Sequence, residues 1–450
     1  LWNTTNFTYA FKQLETLIPL LLLPLVLITG PKFTQKEFRF IFIFLMLGAL
    51  FSAGVGRVLL EFYTDKPIDP RMASPFISHI RLSLVLCFTV AVIGYVLFTG
   101  TNKFRFLILA PLLFIFYYLN FVQSLTAAAI LITTGFYIVW SSKRWIKSKI
   151  AYGILMVLVA SCIVVVSSLF ANTYTQVFAE KRPMETLDIH TLNGNLYVHD
   201  TLYSSLENGY RTGNYLCITE LKKQWEGISD IGFNDRVRGY PLRINLIRYL
   251  TSKGLRKDSV GVHALSQEDV NYIEDGIANV YVATQSGLEA RLYESLWEIK
   301  KWKEGANVLG NSVTMRFFFW NNAKEIISEN WLFGVGTGDI VDEIKLQFQK
   351  SRYANSSRVF HTHNQYLTVF GSFGIVGFLL FVTVLLYPII TYTGEYPMLY
   401  RIGGIIVLTS MIWEDTIETQ AGVLITALLV YLPYIYAERK DVDLSEHSQE

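Results

Sequence analysis

Apolar runs of near-spanning length, separated by turns that collect the basic residues, leave this chain few possible folds. The runs fall at 17–29 (short), 38–62, 80–99, 104–122, 125–140 and 150–170 and, after a long polar interval, near 367–390, 402–413 (short) and 423–437. Because bilayer thickness sets the length of such runs, they read as about nine membrane helices. Composition agrees, with 17% charged and 52% hydrophobic residues, where soluble domains average about 25% charged. A net charge of +2 implies no nucleic-acid partner. Cys87, Cys162 and Cys217 are too few and too scattered for a disulfide framework or a thiolate metal site. The chain opens on Leu1 with no signal pattern, so further residues are expected upstream.

Basic residues orient the bundle, since cytoplasmic turns collect Lys and Arg. Lys32, Lys36, Lys103, Arg105, Lys143, Arg144, Lys147, Lys149, Arg401, Arg439 and Lys440 all fall on one side. Alternation then places 1–15, 63–79, 120–124, the region from about 171 to 363, and 414–421 on the opposite, external face. A cytoplasmic N-terminus would need an odd number of helices before Leu1. The expected divisions are N-terminal membrane helices 1–171, an external loop region 172–362, C-terminal membrane helices 363–437 and a cytoplasmic tail 438–450. The loop region reads as mainly helical, with stretches at 215–225, 241–253, 267–277 and 288–303. Residues 312–330 place Arg316, Phe319, Trp320, Ala323 and Ile327 in amphipathic phase, as in a helix lying on or re-entering the membrane.

Arg358-Val-Phe-His361-Thr-His363-Asn364-Gln365-Tyr366-Leu367 puts an imidazole where this polar loop meets an apolar run. Histidine suits general acid–base work near neutral pH, and polar groups at a bilayer edge usually line a cavity. His79 and Arg81 open the run at Ile80, where a cation could bind phosphate or snorkel at a helix end. Arg316, beside an aromatic run, suits an anion clamp, because a guanidinium grips phosphate oxygens in a fork; interfacial anchoring is the plainer alternative. Arg243 and Arg248 lie on a basic face suited to solvent. His361 and His363 would need further ligands to hold zinc, and no nearby cluster supplies them. Gly334-Val-Gly336-Thr-Gly338-Asp339 lacks the strand and the Lys-Ser/Thr of a nucleotide loop and reads as a tight turn. Glu414, Asp415 and Glu418 could bind a cation, orient a histidine, act as a base or cap a helix. The only Asp-X-Asp pair, Asp441 and Asp443, falls in the tail on the opposite side.

Arg316-Phe-Phe-Phe-Trp-Asn-Asn-Ala, Asn330-Trp-Leu-Phe-Gly334-Val-Gly336-Thr-Gly338, His363-Asn364-Gln365-Tyr366-Leu367 and Gly371-Ser-Phe-Gly374-Ile-Val-Gly377, in this order, resemble the signature of the O-antigen ligase and polymerase superfamily. Arg248-Tyr-Leu-Thr-Ser-Lys-Gly254-Leu-Arg-Lys-Asp258 and Ser78-His79-Ile80-Arg81-Leu-Ser resemble its Bacteroidetes branch, so the resemblance covers most of the chain. It implies an all-α, GT-C-type polytopic helical bundle of about twelve helices in the full protein, with a large periplasmic loop. The implied activity is a glycosyltransferase of the bacterial inner membrane that takes a glycan from undecaprenyl diphosphate on the periplasmic face to an acceptor hydroxyl. Transfer would invert the sugar and need no metal, nucleotide sugar or other cofactor.

By motif, His363 would be the base that activates the acceptor, while Arg316 and Arg81 hold the diphosphate as it leaves. Asn364, His79, His361, Glu414 and Glu418 would support them. Many family members carry Ser-Arg after the small external turn, where this chain reads Gln123-Ser124-Leu125-Thr126. Any phosphate contact from that arginine is absent or comes from elsewhere, with Arg243 and Arg248 the candidates. Ligation of O-antigen to lipid A-core is the leading expectation. A polymerase would use a second lipid-linked glycan as acceptor, a protein O-oligosaccharyltransferase a Ser or Thr hydroxyl, and a non-catalytic glycolipid transporter would carry inverted repeats and charged mid-membrane sites.

Overall fold

The computed structural model describes residues 3–62, 69–99, 103–142, 148–178, 187–201, 204–237, 239–285, 287–305, 311–350 and 361–437. The stretch 358–360, part of the basic turn before α6 and the tail with Asp441 and Asp443 lie outside them. In chain order the first helices are α1 (Phe7–Thr29), α2 (Gln35–Phe62), α3 (His79–Thr99), α4 (Leu109–Phe121), α5 (Leu125–Ser142) and α6 (Lys149–Val177). The long interval holds the hairpins β1–β2 (Leu206–Glu207, Tyr210–Arg211) and β3–β4 (Arg236–Val237, Tyr240–Pro241). It also holds α7 (Ile218–Trp225), α8 (Leu242–Ser252), α9 (Ser259–His263), α10 (Gln267–Glu274), α11 (Val280–Thr284) and α12 (Gly287–Lys303). Then come α13 (Ser312–Glu329), α14 (Ile340–Lys350), α15 (Gln365–Thr391), α16 (Pro397–Trp413) and α17 (Gln420–Thr426), the last continuing through a π turn at Ala427–Tyr431. Among the described residues, six helices are long and apolar enough to cross a membrane, and Phe106–Phe121, Leu125–Ser141 and Pro397–Trp413 are shorter apolar helices. The chain is therefore a helical, multi-pass membrane protein.

The chain divides into two compact units. The first comprises Leu1–Tyr63, Pro70–Val157 and Asn307–Glu450, so the amphipathic helix α13 belongs with the membrane helices rather than with the interval before it. Its main core is a cluster in which Leu82, Leu86, Ile115, Ile130, Ile402 and Ile406 are almost fully buried. Large apolar side chains such as Leu21 and Phe44 are outward-facing and exposed, as suits lipid contact. The second unit, Thr64–Asp69 with Leu158–Ala306, centres on Leu221, Trp225, Leu246, Tyr249 and Ile273.

Helix α1 begins ten residues before the expected run, at Phe7 rather than at 17. Lys12, Gln13 and Glu15 make that stretch look like an external arm, yet Gln13 bonds Tyr9 Oη at 2.7 Å along the helix. The helix start is held from afar. The Asp339 carboxylate accepts the backbone N–H groups of Thr5 and Asn6, each at 2.7 Å, and so satisfies donors that a helix N-terminus leaves open.

Helix α15 breaks at Gly374, whose φ of 61° is the left-handed conformation that a side chain disfavours. Unwinding inside an apolar span frees peptide groups that lipid cannot satisfy. The loop after α13 takes them up: Val335 and Gly336 N–H donate to the carbonyls of Gly371 and Ser372 at 2.9 Å, and Ile375 N–H donates to Trp331 at 2.8 Å. A Cβ on Gly374 would lie 2.3 Å from the Leu332 backbone, and one on Gly334 would lie 2.4 Å from that of Ser372. The glycine-rich run that reads as a tight turn is thus a ladder partner for a broken membrane helix.

Candidate active site

Four sequence candidates meet in the first unit. The carboxylate of Glu414, which caps the C-terminus of α16, receives Arg316 Nη2 at 2.6 Å on Oε1. Its Oε2 faces Arg81 Nη1 at 3.7 Å and His363 Nδ1 at 3.8 Å. Arg316 also donates from Nε to the Trp413 carbonyl at 3.2 Å, and Arg81 from Nη2 to the Asp415 carbonyl at 3.4 Å. These carbonyls stand at the negative end of α16, where cations are favoured. Arg316 comes from the first turns of α13, Arg81 from the start of α3 and His363 from the turn that begins α15.

Burial pushes the Glu414 carboxyl up, but the nearby His363 ring and the charges of Arg316 and Arg81 outweigh this and hold it below the usual carboxylate range. It is a buried anion shared by two guanidiniums and faced by an imidazole. The His363 side chain remains 40% exposed, so its ring can meet a ligand. Phe319 stands 6.3 Å away, ring to ring, and Trp320 packs on Trp413 at 5.6 Å.

The next residue does a job that its sequence leaves open. Asp415 Oδ2 accepts the His363 backbone N–H at 2.8 Å, while Oδ1 accepts the Thr368 and Thr362 hydroxyls at 2.7 and 3.1 Å. His363 is thereby held at φ 51°, an uncommon conformation for a residue with a Cβ. Asn364 caps α15 by accepting the Leu367 N–H at 3.1 Å. His361, its ring 6.5 Å from that of His363, has its pKa lowered by burial, which outweighs the pull of Asp415. Glu418 is half-buried and its carboxyl is pushed up to about 7 by burial and by the neighbouring Asp415 charge, against the opposing influence of nearby Gln365 and Gln13.

The other candidates lie elsewhere. His79 begins α3, where its carbonyl accepts the Ser83 hydroxyl at 2.7 Å. Arg243 bonds Asn234 at 3.0 Å, and Arg248 pairs with buried Glu207 at 2.8 Å while lying over the Trp297 ring at 4.1 Å; both belong to the second unit. At the position where the resemblance leads one to expect Ser-Arg, Ser124 caps α5, accepting the Ala127 N–H at 3.2 Å. Sequence reasoning named Asp415 only within the acidic trio that could orient a histidine and did not single it out, and it missed Gln13 beside Glu418. The first had a signal in the acidic trio, the second only in the four-residue spacing of Tyr9 and Gln13. Among the described residues, no group of three or more His, Cys, Asp or Glu side chains is placed to hold a metal ion.

Paired guanidiniums, an accessible imidazole and a buried carboxylate thus define a multi-pass helical membrane protein with a cation-rich site. The family described as O-antigen ligase (Wzy_C) matches residues 271–382, a stretch that holds Arg316, Asn364 and His363 but neither Arg81 nor Glu414. Over that stretch the chain is similar to the O-antigen ligase family, whose members are ligases or polymerases acting on glycans. No curated protein and no solved structure matches the chain.

Proposed function

We propose that this protein is an inverting glycosyltransferase that ligates O-antigen to lipid A-core, taking the glycan from undecaprenyl diphosphate on the periplasmic face of the inner membrane. The observation that carries the reading is the meeting of Arg81, Arg316 and His363 on one carboxylate, because the reaction needs positive charge for a diphosphate and a base for a hydroxyl at the same place. Glu414 faces Nδ1 of His363, so a neutral imidazole carries its proton there and presents the Nε2 lone pair to the acceptor. The acceptor hydroxyl gives its proton to Nε2 as its oxygen bonds the anomeric carbon. The bond from that carbon to the diphosphate oxygen breaks, and the departing negative charge falls to the two guanidiniums. Two guanidiniums against one carboxylate leave a net positive charge for the donor. Glu414 keeps them aimed before the donor arrives, in the manner of a preorganised oxyanion site.

His363→Ala tests the reading in a reconstituted assay with lipid-linked glycan and lipid A-core. Transfer should disappear while donor binding persists; near-normal transfer would remove His363 from the role of base. A deletion strain separates the acceptors. Lipid-linked polymer accumulating with bare core marks a ligase, one repeat unit on core a polymerase, and normal lipopolysaccharide with unglycosylated protein a protein glycosyltransferase.

A further inference from the structure

A second cavity lies in the first unit at the far end of the same helices. Its volume is about 400 Å³ and its walls include Phe42 and Met46 of α2, Val92 of α3, Leu399 of α16 and Leu429 of the π turn. That size falls within the roughly 300–1,000 Å³ of small-ligand sites. Tyr95 lies fourteen residues along α3 from Arg81, about 21 Å at the helical rise, so the catalytic cluster and this cavity are separate. Ile43 and Val96 in its wall are 41% and 39% exposed, so it opens on the apolar outer surface of α2 and α3.

Its mouth is charged in one sense on the α2 side. Lys36, Arg39, Ile43 and Met46 share one stripe of α2 at helical spacing, basic for the first turn and apolar below. Arg39 lines the cavity and donates to Tyr396 Oη, while Lys36 lies over the Phe40 ring at 5.8 Å. The acidic neighbours have their own partners: Glu37 caps α2 through Thr34, and Glu395 receives Gln35. A basic head region above an apolar slot has the order of a phospholipid, headgroup then acyl chain.

We propose that this cavity binds one anionic glycerophospholipid from the leaflet at the Arg39 end, its acyl chain between α2 and α3 and its phosphate at Lys36 and Arg39. The site is independent of the glycan-transfer reading. The test uses the full chain purified in detergent, stripped of lipid and titrated with phosphatidylglycerol, phosphatidylethanolamine or a polyprenyl phosphate, with bound lipid counted by native mass spectrometry. One phosphatidylglycerol per chain should be retained in preference to phosphatidylethanolamine. Lys36→Gln and Arg39→Gln should each weaken that preference roughly fivefold. Val96→Trp, at an exposed wall position that accepts a large side chain, should abolish retention while leaving the melting temperature unchanged. Equal retention of both phospholipids, preference for the polyprenyl phosphate, or full retention by Val96→Trp would each overturn the proposal.

Discussion

Asp415→Asn isolates a carboxylate whose two oxygens serve the His363 loop. In the native protein Asp415 is 5% exposed and accepts three hydrogen bonds, at 2.7, 2.8 and 3.1 Å. Asparagine keeps the shape but turns one oxygen into an NH2 group. In the least costly orientation the amide carbonyl meets the His363 N–H and the NH2 meets the threonine hydroxyls, whose lone pairs accept it. All three contacts then persist as neutral bonds of about 0.5–1.5 kcal/mol instead of charge-assisted ones of about 1.5–3. The loop therefore loses about 3–4.5 kcal/mol of support, leaving about 1.5–4.5 kcal/mol against the roughly 1–2 kcal/mol that a left-handed residue with a Cβ costs. Strain and support become comparable, and the imidazole is no longer held in one place. Since a displacement of about 1 Å can cost about 100-fold in rate, kcat should fall by about 10- to 100-fold. The donor KM should change little, because Arg81 and Arg316 keep Glu414. Initial rates in proteoliposomes at varied donor, beside a melting curve, make the measurement. A kcat within twofold of wild type at unchanged stability would refute the reasoning, and a raised KM alone would move Asp415 to donor binding.

Arg316→Lys should remain impaired in transfer by at least tenfold, because a point charge cannot span both Glu414 and a phosphate in the guanidinium's fork; wild-type rates from this variant would reduce Arg316 to a simple counter-charge. Glu418→Gln should flatten the dependence of stability on pH. With the folded pKa raised from 4.5 to about 7, the protonated carboxyl contributes stability in full below 4.5 and loses it as pH rises through 7. Melting temperature should therefore fall across that window more steeply in wild type than in the variant, and parallel curves would contradict the assignment. Turnover in excess EDTA should equal turnover without it, since two arginines supply the charge a metal would bring; activity lost to EDTA and restored by Mg²⁺ or Mn²⁺ would overturn this.

The sequence shows most clearly what the bilayer dictates. Apolar length places the nine apolar helices found among the described residues, and helical period places α8, α10, α12 and α13 in the polar interval. What it hides depends on distant partners. The start of α1 is polar on its face, and the group that secures it, Asp339, lies 334 positions from Thr5. The short helices α9 and α11 are five residues each, too brief for periodicity to register. At the site, His363 and Arg316 are visible as an ionisable group at a membrane edge and a cation on an amphipathic helix. Asp415 is visible only as one of three acids, because its task is defined by a backbone N–H and two hydroxyls more than forty positions away.

The backbone ladder at the break in α15 explains how cations from three separate helices keep their places. Arg316 sits on α13 and His363 at the head of α15, and the contact of the Phe319 ring with the His363 ring, 6.3 Å between centroids, is too soft to fix the register of the two helices. The loop that follows α13 is instead bonded to the unwound turn of α15 through Val335, Gly336 and Ile375, about 14 Å along the helix from Gln365. Arg316 and His363 are thereby keyed to each other through peptide groups, whose geometry is far stiffer than that of long side chains. The same loop runs on to Asp339, which fixes the start of α1 and so brings Gln13 to Glu418, next to Asp415. Glu414 then needs only to choose orientations for guanidiniums whose helices are already placed. The glycines of this loop can be replaced less readily than the charged residues around the site: a Cβ on Gly336 would lie 2.8 Å from the Asn3 carbonyl, and one on Gly334 or Gly374 would push the two strands of the ladder apart.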